Sequence, residues 1–381
     1  MRFGFVGLGF AARWLHLPAV QALGDATIVG GADNESGQRD AWEAAGGGPA
    51  FSDLDSLLEH GRPQVVVVGT PPDSHAALCI AALEAGAHVV CEKPFVANLD
   101  QADGVLAAAG RAGRRVAVNQ EFRYMPIFAA VHDAVGQAGI GAPVFLHCTQ
   151  FMDLAPWDEK VPWRAAMPDR SLFEGGVHLV DLMHLVAGRP PVSVFAMTSS
   201  GLDPARSADA IHLVTLDYGD GLLGQITIDR LCRSGTRYVD LRVDCEDASL
   251  RASFGGRALL QLGVKRAQRP GLRFELGLEG LAWRERGLRR RTLARNPRGS
   301  TQKATACLYR DAVDAFRRDV DPPTSGAVAR ETLRIIEACY RSARTGTRVD
   351  LEAGAAPSVP SATTGDRIEA VPEREPAPPA T

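Results

Sequence analysis

A short apolar run, Phe3-Gly4-Phe5-Val6, passes directly into Gly7-Leu8-Gly9-Phe10-Ala11-Ala12 and then into a helix-like segment over Ala11–Leu23. Few local patterns restrict a fold as strongly. A Gly-x-Gly-x-x-Ala string between strand and helix uses its first glycine for a tight turn and its second to let the backbone approach a pyrophosphate. Small Ala12 lets helix and strand pack closely, and the first helical amides then face an anion. The string alone is common, but Asp33 strengthens it. It ends a second apolar run, Thr27–Ala32, at roughly the 20-residue spacing of a dinucleotide-binding unit. A carboxylate there accepts hydrogen bonds from an adenosine ribose diol and repels a 2′-phosphate. Asn34-Glu35-Ser36 follow with no adjacent Arg or Lys, so NAD is the expected cofactor, and NADP stays open because Arg39 is within reach of a 2′-phosphate. Gly7, Gly9, Phe10, Ala11 and Asp33 form the first part of the expected cofactor-binding set.

The alternation continues. Apolar runs at Val65–Gly69, His88–Cys91 and Val116–Val118 are separated by helix-like Ser36–Ala45, Ser74–Ala85 and Leu99–Ala112. Strands buried on both faces read as unbroken Val and Ile, so residues 1–122 are expected to form a doubly wound parallel sheet, a Rossmann domain. Ligands of such sheets bind beyond the carboxyl ends of the strands. Two of those ends carry further cofactor-side candidates: Thr70, Pro71 and His75 after one strand, and Glu92 and Lys93 in Val89-Val90-Cys91-Glu92-Lys93-Pro94 after the next.

Past Gln120-Glu121-Phe122-Arg123 the pattern changes. A helix over Met125–Val135 leads through Gly139-Ile140-Gly141 into strand-like Pro143–Phe151, Val192–Thr198, Ala210–Tyr218, Leu222–Asp229, Tyr238–Cys245 and Ala258–Leu262. Strands in series predict a large, mostly antiparallel open sheet, and with helices at Val177–Leu185, Thr301–Arg317 and Ala327–Ala343 they make a second α/β domain over 123–352. A length of 381 residues suits two domains. Residues 353–381, rich in Pro, Ala and Glu, cannot offset ordering entropy by burial and read as a disordered tail. Arg284–Arg298 is densely basic and reads as a solvated loop, since no aromatic ladder accompanies it.

A net charge of −3 gives no general attraction to nucleic acid or anionic lipid, and no apolar run reaches membrane-spanning length. No N-terminal signal is visible, and the seven cysteines lack a Cys-x-x-Cys pair, so reduced thiols in a cytoplasmic protein are expected. His178, Asp181 and His184 share a predicted helix, but six residues turn the two histidines roughly 600 degrees apart, so no metal site is expected.

The fingerprint Gly7–Ala12, Thr70-Pro71 with His75, Glu92-Lys93-Pro94, Gly139-Ile140-Gly141 and Gly175-Gly176-Val177-His178-Leu179-Val180-Asp181 occur in this order. With them the chain resembles the glucose-fructose oxidoreductase, inositol dehydrogenase and rhizopine-catabolism (Gfo/Idh/MocA) family over residues 1 to about 351. The resemblance implies hydride transfer between a nicotinamide and a secondary alcohol or ketone of a sugar, cyclitol or related polyol. It also implies a homodimer or homotetramer formed through the open sheet. On it Lys93 and His178 are catalytic, and Asp181 is the acidic residue one helical turn on. Glu174 stands where the family often has Asp, four residues before the histidine, and keeps a carboxylate role with altered reach or marks a changed substrate. Trp163-Arg164 resemble a segment bordering the substrate pocket, so Lys93, Arg123, Trp163, Arg164, His178 and Asp181 make the expected substrate-binding set.

These residue types suit the chemistry. Oxidising an alcohol by hydride transfer requires loss of the hydroxyl proton, which a histidine of ordinary pKa near 6.5 takes at neutral pH. An ammonium such as Lys93 stabilises the developing alkoxide. Two other readings share the motifs: a glycosidase that oxidises its sugar transiently through bound NAD, and a nicotinamide-binding regulatory protein without turnover.

Overall fold

The computed structural model describes residues 1–153, 167, 169–201, 209–233, 238–255, 259–264, 270–275 and 279–351. Trp163, Arg164 and the segment 353–381 lie outside the described residues.

The first sheet is built from β1 (Arg2–Val6), β2 (Thr27–Ala32), β3 (Ala50–Phe51), β4 (Val65–Val68), β5 (His88–Cys91) and β6 (Val116–Val118). All pairings are parallel, in the order β3-β2-β1-β4-β5-β6. The order reverses beside β1, the topological switch point where such sheets bind ligands. Val65–Val68 and Val89–Val90 are fully buried, as strands covered on both faces require. The covering helices include α1 (Leu17–Gln21), α2 (Ser36–Ala44), the single turn α3 (Leu54–Ser56), α4 (Pro72–Glu84) and α5 (Leu99–Ala112). The fingerprint helix opens as a π-helical turn, Ala12–His16, and the predicted Ala11–Leu23 helix is therefore two stacked pieces.

After α6 (Pro126–Ala134) the chain enters the second sheet. Its strands are β7 (Pro143–Phe151), β8 (Ser193–Ser199), β9 (Ile211–Asp217), β10 (Leu223–Asp229), β11 (Val239–Cys245) and β12 (Ser249–Phe254), joined by β15 (Gly280–Arg286), β16 (Arg289–Arg295) and β17 (Val349–Asp350). β13 (Leu259–Val264) and β14 (Pro270–Glu275) form a separate hairpin. The nine-stranded order is β16-β15-β12-β11-β7-β10-β9-β8-β17, antiparallel except for β7 with β10. Helix α7 (Val177–Ala187) packs on its buried face, where Met183 and Tyr218 crowd Gly224.

Two features differ from the sequence reading. The basic stretch expected as a solvated loop is the β15–β16 hairpin at the sheet edge, where Arg284 faces Arg291 and Glu285 faces Arg290. Arg290 lies over the Trp283 ring at 3.9 Å, a cation–π contact that lets arginines occupy an exposed strand. Second, the chain returns to the first sheet. Helix α8 (Ser300–Arg317) sets Tyr309 beside Phe3 and stacks Phe316 on His88, and Val118 donates its N–H to Thr324 O ahead of α9 (Gly326–Thr345). The parallel sheet is thus packed partly by residues distant in sequence. Among the described residues no helix is long and apolar enough to cross a membrane.

Candidate active site

The fingerprint turn carries its glycines for the expected reasons. Gly7 has φ +81°, and a Cβ there would lie 2.7 Å from Thr70 N, so the turn needs glycine both for its backbone and for its approach to the β4 loop. At Gly9 a Cβ would meet nothing within 4 Å, leaving the backbone open on the side where a dinucleotide crosses the switch point. Asp33 accepts from Leu8 N at 2.8 Å and from Glu35 N at 2.9 Å, which locks its carboxylate at the end of β2 and ties it to the glycine turn. Arg39 Nη1 donates to the Asp33 and Asn34 carbonyls at 2.7 and 3.0 Å, a cation directly behind that acid. Phe10, 70% exposed, stacks on Trp14 at 5.3 Å and forms a lip beside the glycines. Open backbone at Gly9, the left-handed turn at Gly7 and a fixed acid at β2 together fit a nicotinamide dinucleotide.

The β4 and β5 loops are tied to each other. His75 was expected to touch the cofactor, but its ring is fully buried. Nδ1 lies 3.0 Å from both Pro94 O and Phe95 O, and Nε2 2.7 Å from Thr70 O, so His75 holds the Thr70 loop against the Lys93-Pro94 turn. Glu92 likewise turns inward. Its Oε1 lies 2.8 Å from His16 Nε2 and accepts from Asn119 Nδ2 at 2.8 Å, while Oε2 accepts from Lys93 N at 3.0 Å. The Tyr309 hydroxyl meets His16 Nδ1 at 2.8 Å. Burial alone would raise the Glu92 carboxyl, but His16, Lys93 and Asn119 outweigh it and hold the group down to about 2. A fixed negative charge therefore sits directly behind Lys93.

Lys93 crosses to the second sheet's side of the cleft. Its Nζ donates to Glu174 Oε1 at 3.0 Å and to Glu174 O at 3.1 Å. Glu174 lies in the π-helical turn Ser171–Gly175, which leads directly into α7. That turn is held by Asp209 Oδ2, which accepts from Ser171 N and from the Tyr340 hydroxyl at 2.6 and 2.7 Å. Four residues after Glu174, His178 occupies the first turn of α7 with its ring stacked on Phe122 at 4.2 Å and 12°. Burial, then the charge of Lys93, push the imidazole down to about 3 against the opposing pull of Glu174 and Glu92. The structure thus brings together Lys93, Glu174 and His178, which the sequence spacing places in two different domains.

Arg123 and Asp181 need correction as substrate-binding residues. Arg123 Nε and Nη2 donate to Asp181 Oδ2 and Oδ1 at 2.5 and 2.6 Å, and both residues are 1% exposed. A bidentate pair with no accessible surface anchors α7 to the 3₁₀ turn Glu121–Tyr124 and cannot also reach a ligand. His184 is buried with neither ring nitrogen hydrogen-bonded, a packing residue. The sequence reading passed over His16, Asn119 and Tyr309, whose only local signal was polarity inside otherwise apolar segments. It also passed over Glu121, whose Oε1 lies 4.0 Å from His178 Nε2.

A parallel sheet with a dinucleotide turn at its switch point, facing a lysine–carboxylate pair and a buried histidine, defines a nicotinamide-dependent oxidoreductase. Two family profiles agree: an oxidoreductase family with NAD-binding Rossmann fold matches residues 1–120, and the GFO/IDH/MocA C-terminal domain matches residues 128–251. The chain belongs to the Gfo/Idh/MocA family and is an enzyme of the dehydrogenase and reductase class. Its relatives include the D-apiose dehydrogenase of Paraburkholderia graminis, 27% identical over 94% of this chain and 92% of that protein. Inositol 2-dehydrogenase 2 of Saccharopolyspora erythraea is 26% identical over 94% of this chain and 98% of its own length. Among solved structures, an Agrobacterium radiobacter oxidoreductase in complex with NAD+, L-tartaric acid and magnesium superposes with TM-score 0.77 at 19% identity, covering 92% of this chain and 98% of that one. The WlbA dehydrogenase of Bordetella pertussis in complex with NADH and UDP-GlcNAcA gives 0.74 at 24% identity, covering 93% and 99%.

Proposed function

We propose that this enzyme is an NAD-dependent dehydrogenase that interconverts a secondary alcohol and a ketone on a sugar, cyclitol or related polyol. Residues 1–122 serve chiefly as the cofactor domain and 123–352 as the substrate and oligomerisation domain. The observation that carries the reading is the Lys93–Glu174 pair reaching across the cleft beside His178. The names of relatives, D-apiose and inositol dehydrogenases among them, support a polyol substrate.

The backbone at Gly7 and Gly9 would hold the pyrophosphate, and Asp33 the adenosine ribose diol, which favours NAD over a cofactor carrying a 2′-phosphate. Arg39 keeps NADP within reach. When bound, the nicotinamide supplies the hydride acceptor or donor. The chain's own residues handle the oxygen. Lys93, with Glu92 behind it and Glu174 before it, donates to the substrate oxygen and stabilises negative charge as the C–H bond breaks. His178, kept neutral by burial, takes the hydroxyl proton or returns it. Phe122 fixes the ring plane so that the proton travels along one direction.

A dimer or tetramer of this chain completes the proposal. Phe195, Met197, Leu213 and Leu223 are exposed on the outward face of β8, β9 and β10, with Met197 directly opposite Leu213. A second copy of the same sheet is the occupant that an apolar, strand-built face of this kind fits.

Incubation of the purified protein with NAD or NADP and a polyol panel including D-apiose and myo-inositol, followed by reduced-nicotinamide absorbance, tests the reading. NAD-linked turnover that is lost in Lys93→Ala and His178→Asn is expected. Turnover undiminished in both variants, or cleavage of glycosides without net cofactor reduction, would overturn it.

A further inference from the structure

A lysine and a carboxylate that meet from two domains are only as well placed as the backbone that carries the carboxylate. Glu174 offers Lys93 Nζ two acceptors, Oε1 and its own main-chain O, so a shift of its turn displaces both at once. That turn, Ser171–Gly175, is π-helical and is closed by Gly176 N donating to Ser171 O at 2.9 Å. Such turns are rare and recur at functional sites, and this one is held from outside. The first amides of a helical turn have no partner within it, and here three in succession are taken by residues far along the chain. Ser171 N donates to Asp209 Oδ2 at 2.6 Å, while Leu172 N and Phe173 N donate to the Tyr340 hydroxyl at 3.2 and 3.3 Å. The hydroxyl in turn donates to Asp209 Oδ2 at 2.7 Å, so its hydrogen and both lone pairs are engaged.

Tyr340 comes from α9 and Asp209 from just before β9, and the His212 ring meets the phenol edge-on at 5.4 Å and 90°. Burial, and then Asp209, raise the Tyr340 phenol above its ordinary range, so the hydroxyl keeps its proton at neutral pH. On the other side of the same peptide Arg230, just after β10, donates from Nη2 to Ser171 O at 3.2 Å. Its guanidinium fills the space beside Gly175, where a Cβ would lie 1.7 Å from Nη2, so the turn needs glycine there. Asp209 and Arg230 are both buried. Among the described residues no carboxylate pairs with Arg230, and only the His212 ring, at 3.4 Å, lies against Asp209 as a candidate cation. Burying an anion and a cation unpaired with each other is costly. Both are aimed at one peptide group, three residues before Glu174.

We propose that Tyr340 is a positioning residue of the active site: its hydroxyl, with Asp209 and Arg230, sets the turn that aims Glu174 at Lys93 and so fixes where the lysine meets the substrate oxygen. Tyr340 lies buried behind the turn and acts through Glu174, not on the substrate. Its part in turnover rests on the dehydrogenase reading. Its hold on Lys93 is a property of the protein alone.

The hold on Lys93 is read without substrate. The full-length protein is labelled with trace acetic anhydride, and peptide mass spectrometry gives the rate at Lys93 relative to the Met1 amino group, which donates to Asp25 O at the far end of β1. Tyr340→Phe keeps the ring and removes only the hydroxyl. It should raise Lys93 labelling about three- to tenfold, as Glu174→Gln does, because an ammonium that loses its carboxylate partner gives up its proton more readily. Asp209→Asn should act in the same direction and takes the place of Tyr340→Phe if that variant fails to fold. A Lys93 rate equal to wild type in the folded variant overturns the proposal, whatever the substrate. Steady-state kinetics with NAD and the polyol panel then read the role in turnover. Tyr340→Phe should lower kcat about ten- to thirtyfold with KM nearly unchanged, and should have little further effect in a Glu174→Gln background, since residues acting through one contact are not additive. An equal proportional loss in both backgrounds, or a loss confined to thermal stability, overturns the positioning role. If no panel member turns over, the dehydrogenase reading has failed on those substrates, and the labelling alone decides the hold on Lys93.

Discussion

At the residue scale, His178 and Glu121 impose opposite pH dependences on folding. The folded His178 binds its proton only near pH 3 while the unfolded chain does so near 6.5, so its contribution is complete above 6.5 and is lost as pH falls through that window. Glu121 holds a proton up to about pH 8 that the unfolded chain releases near 4.5, so its contribution is complete below 4.5 and is lost as pH rises to 8. The two slopes cancel between about 4.5 and 6.5. Urea denaturation across pH is therefore expected to show His178→Asn losing the acid-side decline and Glu121→Gln the decline toward pH 8, each by up to a few kcal/mol. Identical pH profiles in wild type and variants would refute the buried, neutral pair. Lys93 makes a different demand. Lys93→Ala should lower kcat about 100- to 10,000-fold because a donor aimed at developing negative charge is lost, whereas cofactor affinity measured by fluorescence titration should change little. Asp33→Ser should weaken NAD about ten- to a hundredfold and narrow the gap to NADP, since a charge-assisted contact and a repulsive charge disappear together.

At the element scale, the strands that bound the site carried enough information in their own residues, and the elements that lock it did not. Thr27–Ala32, His88–Cys91 and Val116–Val118 follow from unbroken apolar runs, and the glycine turn fixed where a dinucleotide would cross. Gly7→Ala tests that turn: with φ at +81° and Thr70 N 2.7 Å from the new Cβ, it should abolish cofactor binding and lower the melting temperature. An unchanged NAD affinity would count against the turn as the pyrophosphate site. Lys93, Glu174 and His178 were legible because their motifs have a chemical reason. Inward rotation of Glu92 and His75 was not, because it depends on partners 76 and 19 residues away. The Arg123–Asp181 pair misled for a related reason. Charged residues at a domain junction look like ligand contacts until their mutual distance is known. The basic β15–β16 hairpin was missed because arginine is a poor strand signal, and stacking of Arg290 on Trp283 appears only in three dimensions.

For the whole molecule, the proposed dimer or tetramer puts its contact on the outward face of the nine-stranded sheet. Its register puts Met197 opposite Leu213 on β8 and β9 and Leu223 opposite Phe145 on β10 and β7, two apolar pairs separated where Leu213 faces Thr227 and Leu223 faces Asp217. Toward β11 and β12 the same face turns polar, with Arg242 opposite both His147 and Arg251. Met197 is 59% and Leu213 45% exposed, high values for apolar residues in a sheet whose other face carries the core. A two-fold contact doubles every contribution, because each residue occurs once per subunit. Fully burying a methionine stabilises by about 1.5–3 kcal/mol, and with Met197 59% exposed the dimer can gain about three-fifths of that per subunit, so Met197→Asp removes about 2–3.5 kcal/mol per dimer before any charge repulsion is counted. The dimer dissociation constant should rise by about thirty- to three-hundredfold. Light scattering across a dilution series would register this as a shift to monomer at concentrations where wild type stays assembled. Leu288→Asp, on the exposed tip of the β15–β16 hairpin, serves as the matched control and should leave assembly unchanged. If Met197→Asp assembles like wild type while Leu288→Asp falls apart, the contact lies at the basic hairpin and the apolar sheet face is not the interface.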